Sequence, residues 1–295
     1  MSRESLRWQS KLVLLLVLPV VGCGVVFETY SRVHWFVGRT DYLWVLGLSA
    51  GLGILTLAAR AATPFAALTG SVITAQLIYA TGNNNPFKPW QTFLVPVLAV
   101  SLLAYLATSI GRSKKIQLGT AEEKHGRSAA QVAANLGIAA LLATDMAQNW
   151  DMYSSWMPHP GDVLLYGSLA AMAEAAADTV SSEIGQVFGG HPRLFPTMQP
   201  VDPGTDGGIT LVGTLAGIAA AAIVAGLTML AIPTDWLAFK ITLAGAVVGL
   251  FFDSLLGATL ERKGWLNNDS VNFLSTFCAA SYAVWLAGRY VHFVM

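Results

Sequence analysis

Long apolar segments dominate this chain and restrict what it can fold into. An α-helix of about 20 apolar residues, rising 1.5 Å per residue, spans the hydrocarbon core of a bilayer. Nine such segments can be read, at about 11–28, 42–60, 63–81, 91–110, 128–147, 161–184, 209–231, 236–260 and 272–294. We therefore expect an all-α polytopic membrane bundle of about nine transmembrane helices, forming a single integral membrane domain over residues 1–295.

The composition excludes several other classes of protein. Only 12% of the residues are charged, against about 25% in soluble domains, and the mean hydropathy is +0.56, so no soluble catalytic domain is expected. The formal net charge is zero, which gives a nucleic-acid partner no electrostatic support. Both cysteines, Cys23 and Cys278, lie inside apolar runs, as is typical of packing residues and not of disulfides.

The distribution of Lys and Arg predicts how the bundle is oriented. With the N-terminus inside, most of the 17 Lys and Arg residues fall on the cytoplasmic side, as the positive-inside rule requires. This orientation also collects the most polar loops, 111–127, 185–208 and 261–271, on the cytoplasmic face. We expect a multi-pass protein of a cell membrane or a plastid or thylakoid-type membrane, with its active site on the cytoplasmic side.

Carboxylates near the ends of apolar helices are the first candidates for chemistry. A charge within a membrane segment costs at least about 2.5 kcal/mol, so such residues are candidates for function. Glu174 and Asp178 share a helical face, and Glu183 follows near the end of the same predicted helix. Asp253 lies in another apolar run, between Gly249 and Gly257. These groups favour a divalent cation, although a single buried Asp also serves simply to bond a neighbouring helix.

A glycine-rich loop follows the first group of carboxylates. The segment 203–208, Pro-Gly-Thr-Asp-Gly-Gly, precedes a predicted helix that begins near Ile209. Glycines expose backbone N–H groups, and a helix N-terminus favours negative charge, so this junction is suited to binding phosphate. The alternative is a plain Gly/Pro turn between two membrane helices, and spacing alone does not separate the two.

Each of the remaining polar groups allows two interpretations. The loop 111–127 supplies cations for phosphate, or it is only a topology signal. Gln131 and Asn135 share one helical face and would bind a base or bridge two helices. The segment 267–272, Asn-Asn-Asp-Ser-Val-Asn, is dense in amides, but such residues before an apolar run are also ordinary helix caps.

Four blocks, in order, resemble a family of integral membrane proteins first catalogued as domain of unknown function ninety-two. They are residues 177–185, 203–208, 253–258 and 267–272, and the segment 124–135 is similar to the family's pattern as well. The best-understood members of that family are the phytyl-phosphate kinases of chloroplasts and cyanobacteria. The resemblance implies a kinase that uses a nucleoside triphosphate and acts on an isoprenyl monophosphate. It also implies a distant relation to dolichol kinases and phosphatidate cytidylyltransferases.

The resemblance implies a role for each candidate residue. The catalytic residues, which also hold Mg²⁺, would be Asp178, Glu183 and Asp253. The residues that bind nucleotide phosphates would be Gly204, Thr205, Gly207 and Gly208. The cations that neutralise the acceptor phosphate would be Lys124 and Arg127. Three amides are added to the nucleotide-binding set: Asn135, Asn268 and Asn272. One departure is Asp206, which stands where the family more often has Asn.

We therefore expect a Mg²⁺-dependent kinase that uses CTP or ATP to convert an isoprenyl, phytyl-like monophosphate into the diphosphate. The partners would be the lipid phosphate and the nucleotide, and a homo-oligomer is compatible with the sequence. Two alternatives remain open. A lipid-phosphate cytidylyltransferase would use the same residues, whereas a transporter would want polar groups near the bilayer midplane. The gathering of polar residues at one face favours an enzyme.

Overall fold

The computed structural model describes residues 6–35, 40–82, 86–120, 126–145, 147 and 160–294. These ranges contain ten α-helices, which we number in chain order: α1 Arg7–His34, α2 Asp41–Ala58, α3 Pro64–Thr81, α4 Leu94–Ser109, α5 Arg112–Leu118, α6 Ala129–Leu142, α7 Pro160–Phe188, α8 Leu211–Ala231, α9 Trp236–Leu256 and α10 Asn268–Val294. Helix α9 continues as one wider turn, Gly257–Glu261. The all-α membrane bundle is thus confirmed, and each of the nine apolar segments contains a helix.

Not every helix is long and apolar enough to cross a membrane alone. Of the ten helices in the described ranges, six are: α1, α2, α7 from Val163, α8, α9 extended to Glu261, and α10 as far as Tyr290. The pair α4 and α5 would add a seventh as one span, although it bends by 63° around Gly111. Helix α6 ends at Leu142, earlier than the sequence pattern indicated, and has only 14 residues. The number of nine transmembrane spans and the cytoplasmic position of the N-terminus therefore remain predictions.

Helix α7 lies at the centre of the bundle. In its apolar window 78% of the residues are buried, against 28% in α1 and 22% in α2. It packs against α4, α6, α8, α9 and α10. Small residues permit this close packing, because a Cβ added to Gly217 of α8 would lie 2.6 Å from the Ala177 carbonyl oxygen of α7.

Three two-residue strands connect α7 to α8 at one end of the bundle. They are β1 Arg193–Leu194, β2 Gln199–Pro200 and β3 Gly208–Ile209, paired antiparallel in the order β2-β1-β3. The connection is held down on α9, since the rings of Phe195 and Phe251 lie 5.5 Å apart. This small sheet fixes the glycine-rich loop above the ends of α7 and α9.

The start of α1 lies at the same end of the bundle. Gln9 Nε2 donates a hydrogen bond of 2.8 Å to the Trp265 carbonyl oxygen, and Ser10 Oγ donates one of 2.6 Å to Asp269 Oδ2. Asn267 Nδ2 in turn donates to the Leu6 carbonyl oxygen at 3.0 Å. The N-terminal end of α1 and the connection between α9 and α10 therefore share one side, whichever compartment that side faces.

Candidate active site

A polar cavity of about 330 Å³ opens among the helix ends at this side of the bundle. It is bounded by the starts of α6, α8 and α10, the ends of α7 and α9, and the glycine-rich loop. Its lining includes every predicted site residue within the described ranges: Arg127, Asn135, Asp178, Glu183, Gly204, Thr205, Gly207, Gly208, Asp253, Asn268 and Asn272. Lys124, also predicted, lies outside the described residues.

Carboxylates form the floor of this polar cavity. Asp178 and Asp253 line it, and Glu174 lies deeper, with 1% of its surface exposed. The three carboxylates are close enough to interact electrostatically, and Glu261 adds a fourth charge beside Asp253. Among the described residues, Asp253 Oδ2 and Glu174 Oε1 are buried without a hydrogen-bond partner. The adjacent Ser275 hydroxyl gives its single proton to the Asn272 carbonyl oxygen at 3.0 Å.

This floor fits a divalent cation better than it fits an apolar packing role. Neighbouring like-charged carboxylates are costly when some of their oxygens are buried and unpaired, unless a cation neutralises them. Within the described part of the chain, no group of three or more His, Cys, Asp or Glu residues is arranged to hold a metal ion by itself. Mg²⁺ commonly takes only one or two protein carboxylates, and substrate phosphates and water complete its coordination. Asp178 and Asp253 match that donor set.

Glu183 has a different environment from the other two acids. Its Oε2 accepts a hydrogen bond of 2.5 Å from Lys115 Nζ, and its Oε1 accepts one of 3.2 Å from Thr108 Oγ1. Lys115 is 1% exposed and also donates to the carbonyl oxygens of Ala107 and Thr108, at 3.1 and 2.7 Å. Both oxygens of Glu183 are therefore engaged by the protein itself. The pair fastens the α4–α5 bend to α7.

Arg127 is held firmly at the edge of the polar cavity. Its backbone N–H donates to the Ala61 carbonyl oxygen at 2.9 Å, and its own carbonyl oxygen accepts from the Thr63 N–H at 3.0 Å. The guanidinium donates to Thr179 Oγ1 at 3.4 Å and attracts the carboxylate of Asp178. A cation fixed between the α2–α3 turn and α7 is well placed to bind an anion.

The two buried amides contact each other across the cavity wall. Asn272 Nδ2 of α10 donates to Asn135 Oδ1 of α6 at 3.0 Å, and each side chain is 8% exposed. Both predicted roles, ligand binding and helix bridging, thus involve the same side chains. Asn268, by contrast, is exposed at the cavity mouth. Gln131 completes a capping box with Ser128, which starts α6.

The glycine-rich loop rests directly on the end of α9. Gly207 has φ of +74°, and a Cβ added there would collide with the backbone nitrogen of Ala258. The N–H groups of Thr205 and Gly208 are used inside the loop, where they donate to the carbonyl oxygens of Asp202 and Thr205 at 3.2 and 2.9 Å. The loop is therefore a compact turn that presents a glycine surface to the polar cavity, with fewer available N–H donors than its sequence suggests.

Comparison with known proteins identifies the family of this chain. The family described as integral membrane protein DUF92 matches residues 47–280. This chain belongs to the DUF92 family. An uncharacterized membrane protein of Synechocystis is 35% identical over 66% of this chain and 73% of its own length. An uncharacterized membrane protein of Methanocaldococcus jannaschii is 36% identical over 62% of this chain and 71% of its own length. The chloroplastic protein VTE6 of Arabidopsis thaliana is 28% identical over 64% of this chain and 56% of its own.

No solved structure matches this DUF92 chain. The matched range contains all the predicted site residues, whereas α1 lies before it. Sequence reasoning missed one residue of the site region, because Lys115 reads as one of several basic loop residues. The sequence did contain one indication of its role, because Lys115 follows a short polar break at Gly111. In the structure the helix bends there, and the Lys115 side chain is buried.

Proposed function

We propose that this DUF92 protein is a Mg²⁺-dependent lipid kinase that transfers the γ-phosphate of CTP or ATP to an isoprenyl monophosphate. One observation carries the proposal: two acids, Asp178 and Asp253, line the same cavity of a membrane bundle as a fixed cation, Arg127, and Asp253 has a buried oxygen without a hydrogen-bond partner among the described residues. Metal neutralisation and positioning are the main requirements of phosphoryl transfer. The similarity to a chloroplastic relative supports a role in isoprenyl phosphate metabolism.

The reaction requires little covalent participation from the protein. An oxygen of the acceptor monophosphate attacks the γ-phosphorus, the bond from the γ-phosphorus to the β–γ bridging oxygen breaks, and the nucleoside diphosphate leaves with that oxygen. Asp178 and Asp253 would hold Mg²⁺, which when bound supplies positive charge to the donor phosphates. Arg127 offsets the negative charge of the acceptor. Asn135, Asn272 and the packed glycine loop restrict where the nucleotide lies.

The proposal is tested with purified protein in detergent. Geranylgeranyl or phytyl monophosphate, Mg²⁺ and CTP or ATP are supplied, with the label in separate reactions on the γ- or the α-phosphate. We expect γ-label in a lipid diphosphate, and its dependence on CTP or ATP names the donor. Transfer of α-label with release of pyrophosphate would instead identify a cytidylyltransferase. Absence of both products, with no binding of either nucleotide, would overturn the kinase and favour transport.

A further inference from the structure

A second cavity, of about 560 Å³, lies beside the polar one and shares two residues with it, Arg127 and Asn135. It is bounded by α2, α3, α4 and α6, and its volume is within the roughly 300–1,000 Å³ usual for ligand sites. Most of its lining is aliphatic, with small residues such as Gly70 and Ala104. We call it the apolar cavity.

The apolar cavity is elongated and has a polar end. Along α4 it extends from Ser109 back to Val97, which is roughly 18 Å at 1.5 Å per residue. Ser109 lies at the end of the bundle where the polar cavity is found, whereas Val97 lies deep among the helices and is 1% exposed. An extended hydrocarbon chain fits such a shape, with its head group next to Arg127.

The charges of the two cavities are opposite. Of the described residues that line the apolar cavity, four are cationic and none is acidic; the cations are Arg60, Arg112, Lys115 and Arg127. The described lining of the polar cavity has five acids and one cation; the acids are Asp178, Glu183, Asp206, Asp253 and Glu261. Lys115 and Glu183 neutralise each other, and the contrast between the two cavities remains without them. A metal-bound nucleotide suits the acidic cavity, and an anionic head group suits the cationic one.

Arg60 gives independent support for an anion at this end. It terminates α2 with φ of +54°, a left-handed conformation that glycine adopts freely. A side chain such as arginine costs roughly 1–2 kcal/mol there. Arg60 is exposed and lines the apolar cavity, so it lies where that cavity opens. A strained backbone that retains a cation at a cavity mouth is typical of a functional position.

We propose that the apolar cavity binds a single-chain isoprenyl phosphate, with its hydrocarbon chain between α3 and α4 and its phosphate between Arg60 and Arg127. The two substrates would then approach each other from separate cavities across Arg127 and Asn135. This inference rests on the proposed function for the identity of the lipid. The binding site itself can be tested without turnover.

The test uses geranylgeranyl monophosphate that carries a photoreactive diazirine on its last isoprene unit, with full-length protein and no nucleotide. We expect labelling near Thr74 and Val97, at the deep end, and displacement by unlabelled geranylgeranyl monophosphate. Ser101→Phe should weaken binding by about tenfold or more, because it fills the cavity. Leu102→Phe adds the same ring on the exposed side of α4 and should leave binding unchanged.

Three further variants guard against a folding artefact, test the head group and provide a control for the head-group variant. Gly70→Val should also weaken binding, since a Cβ there meets Val132 at an ordinary 3.8 Å and the added methyl groups occupy the cavity. Arg60→Gln should weaken binding of the phosphate but not of geranylgeraniol. Lys263→Gln removes an exposed cation that does not line the apolar cavity and should change neither.

Labelling spread over lipid-facing residues and unaffected by Ser101→Phe would overturn the inference, as would equal competition by two-chain phosphatidic acid. These experiments distinguish failure of the lipid site from failure of the proposed kinase function. Cavity labelling without any phosphoryl transfer would leave the binding site standing and remove the kinase. Wild-type kinase activity in Ser101→Phe and Gly70→Val would keep the kinase and remove this lipid site.

Discussion

At the scale of single residues, Asp253 differs from Glu183 in whether the protein satisfies its carboxylate oxygens. Glu183 accepts from Lys115 and Thr108. Asp253 retains a buried oxygen without a partner among the described residues. A carboxylate that the protein satisfies serves mainly structure, and one that it leaves unsatisfied is suited to a ligand. This difference predicts different consequences for the same amide substitution.

We expect Asp253→Asn to lower kcat by on the order of 100-fold or more, because it removes a charge that would hold the metal. The fold should persist, since the amide has nearly the same shape. Asp235→Asn is the matched control on the same helix. Asp235 caps the start of α9 by accepting from the Ala238 N–H at 2.9 Å, a role that Asn performs equally well. Equal activity in the two variants would contradict the metal assignment.

Glu183→Gln should act on stability. Removing one partner of a buried ion pair leaves the other charge uncompensated and costs about 3–5 kcal/mol, so the Tm in detergent should fall. The double variant Lys115→Met with Glu183→Gln should recover part of that loss, because no unpaired charge remains. A Glu183→Gln protein with the wild-type Tm and no activity would favour a metal-binding role for Glu183.

At the scale of elements, helix ends were easier to predict than contacts. Asp178 and Asp253 are far apart in sequence, yet alternating spans bring the end of α7 and the end of α9 to one side, and hydropathy alone indicates this. The Lys115–Glu183 pair depends on the 63° bend between α4 and α5, which a run of basic residues does not reveal. The sequence also indicated the loop 203–208, but neither its internal hydrogen bonds nor its close contact with Ala258 can be read from a glycine pattern.

The glycine-rich loop gives a prediction at this scale. Gly207→Ala should displace the loop from α9 and weaken nucleotide binding, because a Cβ collides with Ala258. Gly190→Ala is the control, since Gly190 also has positive φ, +68°, but open space around its Cβ position. Both variants carry a similar backbone strain of roughly 1–2 kcal/mol. Equal nucleotide Kd values for the two would show that strain, not loop contact, explains the effect.

At the scale of the whole molecule, all the site residues that the structure describes lie on one side of the bundle. Helix α8 starts at the polar cavity and α9 ends there, so the short connection 232–235 lies at the far end, about 30 Å away at 1.5 Å per residue. The loop with Arg193 and the connection with Lys263 lie on the side of the site. A one-sided site suits an enzyme that meets its nucleotide in one compartment.

Sidedness can be measured with single cysteines in a background without Cys23 and Cys278. We expect Arg193→Cys and Lys263→Cys to react with a membrane-impermeant maleimide only when the reagent reaches the cytoplasmic side, as in inverted vesicles. Thr234→Cys should react only from the opposite side. Reaction of all three from one side would contradict the span arrangement of α8 and α9. The reverse pattern would agree with the arrangement of the helices but would place the site on the side opposite the cytoplasm. Cytoplasmic nucleotides could not reach it there, and both the predicted orientation and the kinase proposal would be wrong.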